Sequence, residues 1–234
     1  MDYAELTLPA TLDGLVAAVW TARVTGDAWV DLEAVPDGCV ELIRRYSGQS
    51  IWRREQPALF ATGLATTTAK LRLGPGASFL GIKLWPWAWH ALGGAPCSGF
   101  ADDWIPVEDP ALAALVEDGT VERLVDAFAT ARVSPIGEAV LGARGVAEIA
   151  ARAGLSHRQL QRRFASEFGM PPRGYLRLLR FKEALASVQS GEAQLADTAA
   201  EMGYADQAHM ARAFRDLTGL PPSKVRTRAR GPFV

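Results

Sequence analysis

Cysteine is almost missing from this chain of 234 residues: Cys39 and Cys97 are the only two. Two thiols build neither a disulfide framework nor a four-cysteine zinc site, so both read as small core residues in a protein of the reducing cytoplasm. Histidine is as scarce. His90 is the only one before residue 157. A three-imidazole metal centre is thereby excluded from the first half, and His90 reads as a partly buried, hydrogen-bonded side chain. GxxxxGK with Ser or Thr, GxSxG and HExxH do not occur. Without a phosphate loop, a nucleophile elbow or a zinc-protease helix, no catalytic residue, no cofactor and no metal is expected. The longest uncharged run, 84–101, is broken by Pro86, Pro96 and three glycines. A membrane helix needs about 20 continuous apolar residues, so no membrane partner is expected. The opening MDYAELTLPATLDGLVAAVW lacks the basic segment of a signal peptide.

What the chain does have is unevenly placed. Its net charge is only −1, yet residues 1–140 hold 10 Lys/Arg against 18 Asp/Glu and residues 141–234 hold 15 against 8, nets of −8 and +7. Such asymmetry points to a half that faces an anionic partner, with a solvated basic face as the alternative. All seven tryptophans lie in the first half, at 20, 29, 52, 85, 87, 89 and 104.

The first half has the texture of a β-domain. Short runs with partial period-2 alternation at 28–35, 39–46, 51–54, 58–62, 67–73 and 79–85 are separated by the turn-like PDG, SGQ and GPG. Many short strands of this kind predict a β-rich, barrel- or sandwich-like (cupin-like) domain with helices. Pro86 starts a short helix that stops at Gly93-Gly94, and helical periodicity takes over from Pro110. The fold class is α+β.

The second half repeats itself. Leu160, Phe164, Gly169, Pro171 and Pro172 recur 50 residues later as Met210, Phe214, Gly219, Pro221 and Pro222. Gly154 recurs 49 later as Gly203, so the second copy has one more residue in its turn. Each copy is an Ala-rich helix, a glycine, a short turn, and a Ser or Asp able to cap a second helix with one apolar face. That is the grammar of a helix-turn-helix, and a long helix over about 172–189 joins the two. Arg173, Arg177 and Arg180 form a stripe along it, suited to phosphates.

With these residues in view, 141–229 resembles the DNA-binding domain of AraC/XylS-type bacterial transcription regulators, most specifically in the tandem pattern ending TGLPPSKVR. The first half resembles the β-rich effector domains of such regulators, through PDGCVELI and GIKLWPWAWHALGG. The resemblance implies a regulatory domain at 1–109, a helical linker and dimerisation region at 110–140, and an all-α DNA-binding domain at 141–234. Second helices enter the major groove, where Arg pairs with guanine and Gln with adenine. The resemblance places Arg158, Gln161 and Arg162 at base edges for the first motif and Gln207, His209 and Arg212 for the second. It sets Arg163 against a phosphate or an acid and Arg177 on phosphate. Ala208 stands where many relatives carry a longer polar side chain, and Asp206, placed to cap the helix, adds an acid near the DNA, so the second motif should specify fewer bases.

The partners implied are double-stranded DNA, a small-molecule effector, RNA polymerase and a second copy of the chain. Trp52, Trp85, Trp87 and Trp89 are candidate effector contacts, around an interior between strands carrying Leu71, Leu73, Ile82 and Leu84. Ordinary core packing is the competing account of these rings. Two other functions stay open: a constitutive DNA-binding protein whose first half only dimerises, and a small enzyme tethered to DNA.

Overall fold

In KLRL, Leu71 and Leu73 turn to one face while Lys70 and Arg72 stay outside, and period-2 patterning of this kind assembles two antiparallel sheets. The computed structural model describes residues 1–191 and 194–225. Its strands are β1 (Asp2–Glu5), β2 (Val16–Arg23), β3 (Val30–Ala34), β4 (Val40–Ser47), β5 (Ser50–Trp52), β6 (Arg54–Glu55), β7 (Leu59–Thr62), β8 (Ala69–Leu73), β9 (Ser78–Leu84) and β10 (Trp104–Pro106). The larger sheet has the order β1-β2-β9-β4-β7-β10 and the smaller one β3-β8-β5-β6. The sheets do not close on each other, so of the two architectures expected it is the sandwich that forms, and the cupin-like barrel is set aside.

Three strands escape the period-2 pattern. In β2, Val19 is buried on one side of the sheet and Trp20 and Ala22 on the other. A strand buried on both faces shows no alternation. β1 is a four-residue edge and β10 a three-residue one that ends on proline.

The faces of the larger sheet have different partners. Trp20, Ile43, Phe60 and Phe79 point to the smaller sheet and pack with Trp52, Ala69 and Leu73. Val19, Val40, Leu42, Ala61, Ile82 and Leu84 point the other way, into an apolar cluster shared with the helices. Ile82 and Leu84 therefore do not face Leu71 and Leu73 across a common interior, contrary to the sequence expectation.

The helices are α1 (Pro86–Ala91), α2 (Pro110–Ala114), α3 (Thr120–Thr130), α4 (Ile136–Val140), α5 (Val146–Arg152), α6 (His157–Glu167), α7 (Pro172–Ser190), α8 (Leu195–Glu201), α9 (Gln207–Thr218) and α10 (Pro222–Val225). The cluster behind the sheet continues through Trp87, Leu124, Phe164, Tyr175, Phe181 and Phe214 to Val225, so strands and helices share one core. The end of the expected DNA-binding segment, 226–234, lies outside the described residues. His90 is exposed rather than partly buried, because α1 turns Trp87, Ala88 and Trp89 inward instead.

The two copies of the repeat meet the sandwich differently. Gly169 follows α6 at φ +66°, and a Cβ there would stand 2.4 Å from the Ser98 amide nitrogen. Gly219 follows α9 at φ +73° with nothing within 4 Å of the same position. Left-handed backbone alone costs an L-residue about 1–2 kcal/mol. Gly219→Ala should lose about that much in urea unfolding, and Gly169→Ala clearly more, because backbone must move. Equal losses would contradict the close packing of α6 on residues 97–98.

Candidate nucleic-acid interface

Each motif is held by its own cap. Ser156 Oγ accepts from the Gln159 amide at 3.4 Å while Gln159 Oε1 accepts from the Ser156 amide at 2.9 Å, a reciprocal box at the start of α6. In the second motif Asp206 Oδ1 accepts from the His209 amide at 2.6 Å. The turns before these caps pass through left-handed Gly154 and Gly203. Leu160 and Phe164, and likewise Met210 and Phe214, are buried against α7, where Phe181 meets Phe214 edge-on at 4.8 Å.

Arg158, Gln161 and Arg162 on α6 and Gln207 and Arg212 on α9 are exposed, with no hydrogen bond or ion pair among the described residues. His209 is half-buried. Its Nδ1 accepts from the Ala205 amide at 3.3 Å and its ring stands edge-on to Tyr204; Nδ1 as acceptor leaves Nε2 as the donor. Two arginines are held by acids of their own chain. Arg163 pairs with Glu167 at 3.2 Å, and Arg177 with Asp216 at 2.6 Å across α7 and α9.

Between the motifs runs a groove of about 1000 Å³. Arg144, Arg173, Arg177 and Arg180 line it with His157, Gln161 and His209, and no carboxylate does. Arg180 also lies over the Tyr204 ring at 5.6 Å. Arg144 is the one arginine of the groove that the sequence did not single out; it stands just before α5, in a short loop without helical periodicity.

Residues 149–228 match the family described as "Helix-turn-helix domain". An AraC-like transcription regulator of Streptomyces lividans is 33% identical over 81 residues, 35% of this chain and 27% of that protein's length. The carboxyl-terminal part of the chain is a helix-turn-helix domain, similar to a segment of that AraC-like regulator. Residues 6–106 match a family described as "Domain of unknown function (DUF6597)". A solved structure of ToxT from Vibrio cholerae covers 91% of this chain and 99% of its own at a TM-score of 0.50, with 11% identity, a likeness of fold alone.

The helix-turn-helix domain is fastened to the sandwich at the second helix of each motif. Beyond the end of α6, Phe168 meets the Trp87 ring at 5.8 Å. At the end of α9, the Leu217 carbonyl accepts from the Thr68 amide at 2.9 Å. Asp102 shapes the loop that offers Thr68 by accepting from the Thr66 and Thr67 amides. A third fastening reaches the long helix between them: Tyr175 Oη donates to the Gly38 carbonyl at 2.8 Å inside the core.

The other side of that Gly38 loop bounds a cavity of about 80 Å³ between the two sheets. Trp52 lines it, with Trp20, Phe60, Leu71, Leu73 and Phe79. Trp85, Trp87 and Trp89 stand outside it. Trp85 stacks on Trp87 at 5.3 Å, Trp87 Nε1 donates to the Gly14 carbonyl, and Trp89 Nε1 donates to the Ala95 carbonyl. At one end of the cavity Lys83 pairs with Asp37 and, at 3.4 Å, with Glu41. Burial pulls the Lys83 ammonium down, but the two carboxylates outweigh it and hold it well above its ordinary value. Sequence reading missed this trio because the interlocking of β4 and β9 brings together residues 37, 41 and 83. No helix among the described residues is long and apolar enough to cross a membrane.

Asp206 caps α9 but also sets a negative charge beside the basic groove. Asn caps about as well. Asp206→Asn should therefore leave the melting temperature nearly unchanged while tightening binding to duplex DNA about two- to five-fold at low salt. A gel-shift titration checks this, and unchanged or weaker affinity would remove Asp206 from the interface.

Proposed function

We propose that the chain is a cytoplasmic, effector-controlled transcription regulator that acts by binding DNA and not by catalysis. The carboxylate-free groove between two parallel-built motifs, with four arginines along it, supports this most. Its two recognition helices enter successive major grooves on one face of the duplex, about 34 Å apart. Arg158, Gln161 and Arg162 read one box, and Gln207, His209 and Arg212 the other. Arg163 stays with Glu167, and Arg177 exchanges Asp216 for a phosphate.

The effector binds in the sandwich, with Trp52 in its wall. Ligand there moves the loop whose Gly38 carbonyl holds Tyr175, and α7 carries the change to both motifs. Such control needs an effector with different affinities for the two arrangements. Trp85, Trp87 and Trp89 act on this path as packing rather than as ligand contacts. A second copy of the chain, joined through the sandwich or α3, and RNA polymerase complete the set of partners.

Base-preference profiles separate the two boxes. Arg162→Ala should relax one box and Arg212→Ala the other, each by about 1–3 kcal/mol if bidentate contacts are lost. Arg177→Ala should weaken all sequences alike, less than a free phosphate contact would, because Asp216 already holds that charge. If Arg162→Ala and Arg212→Ala altered the same base pairs, the two-box reading would fail.

A further inference from the structure

We infer that the sandwich cavity takes an organic cation, an ammonium on a short apolar tail, with its charge set against Glu41. The inference rests on reading this cavity as the effector site. The walls are largely aromatic and aliphatic, including Trp20, Trp52, Phe60 and Phe79. The ionisable groups that reach them are Asp37, Glu41 and the Cys39 thiol. Burial pushes that thiol up, so it is neutral at pH 7, and the wall is negative.

The lysines stand behind the wall. Lys83 serves both acids, while Lys182 sits over the Trp85 ring at 4.6 Å on the α7 side, from where it also acts on Asp37. Asp37 is fully engaged: Oδ1 accepts from the Cys39 amide at 2.9 Å and Oδ2 from Lys83. Burial pushes its carboxyl up, yet the lysines outweigh burial and hold it below its ordinary value.

Glu41 is less well served. Oε2 accepts from Trp20 Nε1 at 3.1 Å, but Oε1 lies 3.4 Å from Lys83 Nζ, beyond the about 2.7–2.9 Å of a strong charge-assisted bond. Burial therefore prevails over Lys83 and raises the Glu41 carboxyl above its ordinary value. A carboxylate left short of positive charge behaves in this way.

A second polar group stands with Glu41 at the cavity. Gln56, only 3% exposed, lines the cavity, and its side-chain amide makes no hydrogen bond among the described residues. An ammonium donating to Glu41 Oε1 and to the Gln56 amide oxygen satisfies both, and aromatic faces favour a cation beside them. A metal ion suits the site poorly, since no group of three His, Cys, Asp or Glu among the described residues could hold one. At about 80 Å³ the space is near half of an apolar cavity of about 150 Å³ that admits benzene. An ethyl tail is the appropriate scale.

The test titrates the full chain with ethylammonium, ethanol and acetate, following tryptophan fluorescence and heats of binding. Ethylammonium should bind saturably and about ten-fold or more tightly than either of the others, a difference of about 1.4 kcal/mol. Glu41→Gln, which keeps the shape, should erase most of that preference. The ranking in the unaltered chain stands without the variant, should Glu41→Gln not fold. Acetate binding as well as ethylammonium, no saturable ethylammonium binding, or a preference that survives in folded Glu41→Gln would each overturn the inference. Failure of the effector reading looks different: ethylammonium binds as expected but leaves DNA affinity unchanged.

Discussion

The contact between Trp87 and Phe168 joins what the chain order keeps apart. Trp87 is fixed before it meets the DNA-binding half: its Nε1 donates to the Gly14 carbonyl, its ring stacks on Trp85, and Gly137 lies under it so closely that a Cβ would stand 2.4 Å from Nε1. Phe168 brings Phe164 and Tyr175 with it, at ring distances of 4.1 and 4.7 Å. Buried aromatics of this size contribute about 3–5 kcal/mol each when measured by truncation. Interfaces between domains are ordinarily polar and loose. This one is continuous hydrocarbon, and it makes the motifs take their position from the sandwich.

That dependence has an address. Gly38, between cavity residues Asp37 and Cys39, accepts the Tyr175 hydroxyl, and a Cβ on Gly38 would already crowd Leu179 at 3.2 Å. Burial pushes the Tyr175 hydroxyl well above its ordinary value, so it remains a donor at any physiological pH. One loop thus touches the interior of the sandwich on one side and the long helix on the other. The polar trio at its base is a matter of charge balance and the helix contact one of packing, so a change in the first has a short route to the second.

Much of this was legible in the sequence, and the gaps have physical causes. The repeat at 145–172 and 193–222 carried the motifs because a cap, a left-handed glycine and two apolar residues four apart survive in each copy. Exposed Arg158, Gln161 and Arg162 follow from the same helical spacing. The internal pairing of Arg177 with Asp216 does not, since it depends on how α7 crosses α9. In the first half six alternating runs found the strands from β3 to β9, with β5 and β6 merged into one, but not β2, which is apolar on both faces. The tryptophans of WPWAWH suggested a pocket by composition alone; direction, which α1 decides, sent those rings into the shared core. The cavity instead took Trp52 and the acids Asp37 and Glu41, which pair with Lys83 from a distant stretch of chain.

Open sheets leave edges, and here every edge is blunted. Laid antiparallel on a second copy, β1 would set Asp2 against Glu5, and β3 would set Asp31 against Glu33. Like charges directly opposite oppose pairing. β10 ends on Pro106, which has no amide hydrogen to give, and β6 is only two residues long, Arg54 and Glu55. Strand addition between copies of this chain is thereby disfavoured, whether for association or for aggregation.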